Sequence, residues 1–392
     1  MDDVKQKNIR LLRIVTLADS SIFLWPVLIL FYYKVAGNAA GAGVLLSARS
    51  IASAVGELPT GYFSDRFGRA RTTQAASFFY TISAVMTLLS WWHGFWVLFT
   101  AVIIQGVAEA CESGNHDSLL YESSDSKEQY QKISTKLSTL GSLFGAISAV
   151  VGGFLGAKSL MIVAAASVAP RFISFIGSLG LHDISKVHKN EVSVVSTLSQ
   201  LRAVLVHDKQ VRWVVLGKMI SEGFGEVNWQ FRALFVSTVW PLWAVGFSMP
   251  ISLLAHTAGS MSYTRFQTWF NKFDPIKTVL LTTLLAKITL TISYGIQSVV
   301  SPFIIGVAGA LSPINRAAYM GLMHSKLHSS VRASGLSATS FLQTVLFSVT
   351  SIVFGSLIDM YGVRRTLVIV ALCSLTSTLF YWKATRVRGI AA

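Results

Sequence analysis

From residue 11 to residue 383 the chain alternates long apolar stretches with short polar or basic connections. Each stretch is roughly 20 residues, enough to cross about 30 Å of hydrocarbon as a helix, and the ten-residue alternation of an outer-membrane barrel does not occur. The runs predict helices near 11–33, 39–63, 73–91, 96–121, 133–156, 159–181, 212–236, 241–262, 277–294, 300–323, 335–357 and 365–383. The longest interruption, His182 to Arg212, is polar and basic and reads as a linker. The expected fold is therefore an all-α membrane protein of twelve transmembrane helices in two six-helix bundles, residues 1–181 and 212–392, joined by a cytoplasmic linker over 182–211. Met1 to Asn8 are polar, and the run after them lacks a small-residue cleavage site, so it reads as a retained first helix.

Composition removes the soluble alternatives. Hydrophobic residues make up 52% of the 392 and charged residues 13%, with a mean hydropathy of +0.56. The formal charge of +15 sorts onto alternate connections, with Lys5, Arg10, Arg69, Lys132, Arg212 and Lys272 on one side. That pattern predicts both termini in the cytoplasm of an inner or plasma membrane. It also accounts for the basic excess as a face meeting anionic lipid; no folded basic module for nucleic acid is present. Arg364 and Arg365 conflict with this topology, because they fall on an outside turn. Cys111 and Cys373 both lie inside predicted helices and form no disulfide framework. No phosphate-binding glycine loop, zinc spacing or nucleophile elbow occurs, so neither enzymatic activity, a cofactor nor a metal is expected, and a monomer is.

Ionisable residues inside apolar stretches carry the sharper information, since each is costly in hydrocarbon and usually faces a partner or a cavity. Asp19, beside Ser20 and Ser21 and near Trp25, is the first choice for a site that takes up and releases a proton. Lys218, Glu222 and Glu226 recur every four residues, one stripe of a helix with about 6 Å of rise between neighbours. Lys218 with Glu222 reads equally as a self-satisfied pair. Glu226 sits beside Asn228, Trp229 and Gln230, a polar and aromatic patch suited to solute contact. Glu222 and Glu226 join Asp19 as proton-coupling candidates. Arg49 and Arg316 suggest an anionic or zwitterionic cargo, because a guanidinium binds carboxylate bidentately; the competing reading is that they neutralise Glu57, Glu109 or Glu112. The solute-binding candidates are Arg49, Glu109, Trp229, Gln230 and Arg316. Gly141, Gly145, Gly152, Gly153 and Gly156 give one helix a smooth face for close contact.

Between the second and third apolar runs lies Gly61-Tyr62-Phe63-Ser64-Asp65-Arg66-Phe67-Gly68-Arg69-Ala70-Arg71. A turn this tight lets two helices meet closely through glycine, and Asp65 can pair with a guanidinium or a helix N-terminus to hold one packing arrangement. With Gly56-Glu57-Leu58-Pro59-Thr60 before it, this segment resembles the loop motif of the major facilitator superfamily, nearly position for position. Pro26-Val27, Ser113-Gly114, Leu119-Leu120-Tyr121, Arg332-Ala333-Ser334 and Gly355 extend the resemblance over essentially the whole chain. It implies a twelve-helix alternating-access transporter with helices one, four, seven and ten lining a central cavity, and it places the helices of Arg171 and Lys287 at the periphery, where packing or snorkelling roles are expected. It also implies that Gly61, Asp65, Arg66, Gly68 and Arg69, with Asp117, lock the outward-facing state. There are departures: Gly259 is followed four residues later by Tyr263 rather than an acid, and Val102 stands where the drug–proton antiporters carry an arginine before Gln105-Gly106.

The sequence thus reads as a secondary active transporter of a small organic solute, proton-coupled and working in efflux. The alternatives are proton-driven uptake of an organic anion such as a carboxylate-type metallophore, and a membrane sensor or scaffold that transports nothing.

Overall fold

A computed structural model describes residues 2–184, 208–265, 272–326 and 329–387, and every regular element among them is helical. The elements are α1 (Asp2–Ser20), α2 (Leu28–Ala36), α3 (Ala39–Phe67), α4 (Arg69–His93), α5 (Phe95–Glu112), α6 (Asn115–Ser123), α7 (Lys127–Lys158) and α8 (Leu160–Leu179). After the central interruption come α9 (Lys209–Val239), α10 (Leu242–Val245), α11 (Ser248–Arg265), α12 (Pro275–Ile296), α13 (Ser301–Lys326), α14 (Ser329–Tyr361), α15 (Val363–Leu375) and α16 (Ser377–Arg386). Of the predicted linker, residues 185–207 lie outside the described residues, as do the side chains of the Arg332-Ala333-Ser334 segment.

Helix starts follow the local sequence. The side chains of Asn38, Ser126, Ser159, Asp208 and Asp274 each accept a hydrogen bond from a backbone N–H of the first turn they open. Each thereby satisfies donors that a helix leaves unpaired. Every predicted apolar run has a helical counterpart, but four of them are two pieces rather than one. The first run breaks between Ser20 and Leu28, with only a 3₁₀ turn at Trp25–Val27 in the gap. There the Ser167 hydroxyl accepts from the Leu24 N–H at 3.0 Å, satisfying a backbone group that the break leaves unpaired. The fourth breaks at Ser113 and Gly114, the eighth after Val245, and the last at Thr376.

Among the described residues, nine helical stretches are long and apolar enough to cross a membrane. The other three rods are α9, α10 with α11, and α13, and polar side chains of α9, α11 and α13 line a cavity described below. Large apolar side chains such as Phe154, Phe172, Ile176 and Leu254 stay exposed, as a lipid-facing surface requires.

The chain divides into two compact units. The first contains α1–α8 together with Pro241–Pro250. Its packed centre includes Ile9, Leu12, Leu119, Leu120 and Leu137. The glycine face of α7 seats the broken rod: a Cβ at Gly141 would meet the Ser20 hydroxyl and one at Gly152 the Phe23 carbonyl, while Gly153 lies under Trp243 and Gly246. In the second unit, Val214, Val279, Tyr319, Met323 and Tyr381 form the corresponding centre. Arg364, the misplaced charge of the topology argument, donates to the Gly295 carbonyl in the last turn of α12. A cation at a helix C-terminus complements the macrodipole, which gives that arginine a local reason to be there.

Candidate functional site

In the first unit the charged side chains converge on Asp19. It occupies the last turn of α1, where the helix dipole disfavours an acid and favours a cation nearby. Arg171 supplies that cation from α8, with Nη1 2.7 Å from Asp19 Oδ1. One turn further along α8, the Ser174 hydroxyl donates to Asp19 Oδ2 at 2.9 Å. The Arg171 guanidinium lies over the Tyr80 ring, 4.0 Å from its centroid, and the Tyr80 hydroxyl donates to Glu112 Oε2 at 2.6 Å. Asp19, Arg171, Tyr80 and Glu112 thus form one continuous polar chain across α1, α8, α4 and α5. Below it, Thr16 spends its hydroxyl hydrogen on the Leu12 carbonyl at 2.7 Å, so His116, at 3.1 Å, is the donor to Thr16 through Nε2. A cavity of 310 Å³ opens onto Asp19, Tyr80, Glu112, His116 and Arg171, and an adjoining one of 440 Å³ adds Glu109 and Asp117.

Arg49 and Glu109 meet across α3 and α5, Nε to Oε1 at 3.7 Å, with Gln105 Nε2 donating to the same carboxylate at 3.2 Å. The indole of Trp25 lies 5.7 Å from the Arg49 guanidinium. Arg49 is thus within ion-pair distance of Glu109, the acid that one of its two readings names. Two glycines let these helices approach, since a Cβ at Gly106 would strike the backbone of Arg49 and Ser53, and one at Gly56 would strike Ala110.

The loop residues divide. Gly68 has φ +100 and ψ 158, a backbone region essentially confined to glycine. It ends α3 and caps α4, yet has no side chain to offer the first N–H groups. Asp183, just past the last helix of the unit, does that work: its Oδ1 accepts from the Ala70 N–H at 2.7 Å, and a Cβ on Gly68 would collide with its carboxylate. Arg69 is ion-paired with Glu122. Arg66 donates to the Tyr62 hydroxyl at 3.1 Å and lies over Phe67. Gly61 faces open space, and Asp65 and Asp117 are exposed, with no hydrogen bond or ion pair to another described residue. We expect Gly68→Ala to cost about 1–3 kcal/mol and Asp183→Ala about 1 kcal/mol. Thermal unfolding in detergent checks this, and unchanged melting of both variants would refute the shared cap.

In the second unit, Lys218 and Glu222 form the expected i, i+4 pair at 2.8 Å, and Lys218 also donates to Asn315 Oδ1 at 3.3 Å. Gln230 donates to Glu226 Oε1 at 2.6 Å. Trp229 is half exposed, its indole 4.2 Å from the guanidinium of Arg232. Arg316 is exposed on α13 and lies off the cavity that its neighbour Asn315 lines. That cavity, 340 Å³, takes in Glu222, Glu226, Trp229, Arg232, His256 and Lys287. Among the described residues no three His, Cys, Asp or Glu side chains gather as a metal site would need.

Arg171 and Lys287, read from sequence as peripheral, both sit at the centre of their units' polar clusters. Arg232 was not singled out at all, although an arginine inside the run 212–236 was signal enough. Asp183 lies at the edge of a polar linker, where nothing local marks one acid as a cap.

A family model described as Major Facilitator Superfamily matches residues 11–345. No curated protein sequence matches the chain. Among solved structures, a mutant form of the nucleoside transporter NupG is similar with a TM-score of 0.79 at 14% identity, covering 98% of this chain and 100% of that one. A bacterial homolog of the human lysosomal transporter Spinster gives 0.76 at 13% identity, covering 98% and 96%. The xylose transporter XylE from E. coli gives 0.71 at 14% identity, covering 98% and 97%.

Proposed function

Because the chain belongs to the major facilitator superfamily, we propose that it is a proton-coupled secondary transporter of a small organic solute, working by alternating access in the cytoplasmic membrane with both termini inside. The observation that carries this is the chain Asp19, Arg171, Tyr80, Glu112, open to a cavity inside an otherwise apolar bundle. A proton on Asp19 removes the charge that holds Arg171, and the freed guanidinium then has Glu112, one residue contact away, as its next carboxylate. Such an exchange of partners is a two-state element whose balance a proton biases. Asp65 and Asp117, unengaged within their own unit, are available to the proposed outward-facing lock.

The direction we assign is export, on the likeness of the loop segment and of Gln105-Gly106 in helix four to efflux-type members, with Val102 as the departure. Flux into and out of proteoliposomes under an imposed pH gradient, over a broad solute panel, tests both parts. Export by antiport predicts solute moving against the proton. Asp19→Asn is expected to lower gradient-driven flux by about tenfold or more while solute exchange without a gradient survives. Gradient-driven flux undiminished in Asp19→Asn would overturn the assignment of the proton site. A second reading, proton-driven uptake of an organic anion, is favoured by the buried cations of the second unit and predicts solute moving with the proton.

A further inference from the structure

Two of the side chains lining the 340 Å³ cavity of the second unit are buried cations, Arg232 and Lys287. Arg232 and Lys287 are 9% and 8% exposed. Arg232 donates to the Ser252 hydroxyl at 2.7 Å and lies over the Trp229 indole. Lys287 donates to the Ser221 carbonyl at 3.2 Å. Neither has a carboxylate within ion-pair distance among the described residues. A guanidinium carries five N–H donors and an ammonium three, so most of this donor capacity points at no protein acceptor.

The acids on the same wall have partners of their own, Glu222 the Lys218 ammonium and Glu226 the neutral Gln230 amide, so with Arg232 and Lys287 the wall keeps one positive charge in excess. Gly225, which lies between them on α9, leaves room for Lys287: a Cβ there would come within 3.4 Å of its Nζ. An independent sign comes from Asn228, 4% exposed and also lining the cavity, whose Oδ1 accepts no hydrogen bond.

Buried cations with no carboxylate in contact are costly, and a buried acceptor left unsatisfied adds to that cost. Both are relieved by one occupant. We propose that this cavity binds the carboxylate or phosphate group of a small solute, with Arg232 and Lys287 as counter-charges. Asn228 then accepts from a hydroxyl or amino group on the same molecule, and the face of Trp229 borders it. The volume suits such a solute, since pockets for small molecules begin near about 300 Å³. This deepens the transport reading by giving the cargo a chemical class and a place within one unit.

Binding to the full-length protein in detergent tests it without reference to flux. Citrate, succinate and inorganic phosphate are titrated at matched ionic strength while the melting temperature is followed, with xylose as a neutral control. At least one of the three oxyanions is expected to stabilise the protein, with its midpoint concentration raised by about tenfold or more in Arg232→Met and in Lys287→Met. Lys287→Arg should retain the effect. Should the methionine variants fail to fold, Ser252→Ala removes the hydroxyl that accepts from Arg232 while leaving both cations in place, and is expected to weaken binding by about threefold. No oxyanion acting beyond xylose, or midpoints unmoved in the variants that fold, would overturn the proposal. Binding without gradient-driven flux would instead sink the transport reading and leave this one standing.

Discussion

Replacing Arg171 by Met is expected to destabilise the first unit by about 3–5 kcal/mol, and replacing Asp19 by Asn in the same protein should restore much of that loss. The asymmetry follows from where the charges sit. The Asp19 and Arg171 side chains are 17% and 11% exposed, so removing the cation leaves a buried carboxylate with Ser174 as its remaining donor. The α1 C-terminus adds its own negative partial charge to that carboxylate. Taking away both charges leaves two neutral side chains in the same space, which is far less costly. Thermal unfolding of the two single variants and the double variant gives the coupling directly, and strictly additive losses would show that the pair is not the interaction that matters.

Gly106→Leu should prevent the first unit from assembling in a monodisperse form, and Gly106→Ala should cost about 1–3 kcal/mol. The Cβ of either residue would land on the Arg49 carbonyl, the Ala52 side chain and the Ser53 N–H. Two of those three are backbone, which cannot swing aside, so α5 has to withdraw from α3 as a body. The withdrawal also parts Arg49 from Glu109, whose 3.7 Å separation spans the same crossing. Gly61→Ala is the control, since its Cβ meets nothing within 4 Å and alanine favours the helix. Size-exclusion profiles and melting temperatures decide the matter. A Gly106→Leu protein that elutes and melts like the parent would remove the close crossing from the account.

Much of the fold was legible because a membrane imposes one dominant signal. Twelve apolar runs, the caps that open them and the glycine turn at residue 68 all have local causes that a sequence displays. The site was legible by residue type and only partly by partner. The Lys218 and Glu222 pair follows from spacing along one helix, whereas Asp19 and Arg171 are 152 positions apart, and no periodicity links them. Reading Arg171 and Lys287 as peripheral rested on which rods the family places outermost. A long cationic side chain on such a rod can still reach inward, and here both do. Arg316 shows the converse, for a position adjacent to Asn315 turns about 100° around the helix and so misses the cavity that Asn315 lines. The breaks at residues 21–24 and 113–114 escaped because the apolar pattern runs through them without pause.

The interruption that follows Asp19 has a mechanical meaning. None of the main-chain hydrogen bonds at residues 21–24 ties α1 to α2, so the two pieces can swivel about that short stretch without unwinding either one. Among the contacts that hold their angle are that of Leu24 with Ser167 and the seat of Phe23 on Gly152. The first rod is therefore jointed two residues beyond the acid that its neighbours guard, and a change in the charge at residue 19 acts at the elbow rather than partway along a stiff lever.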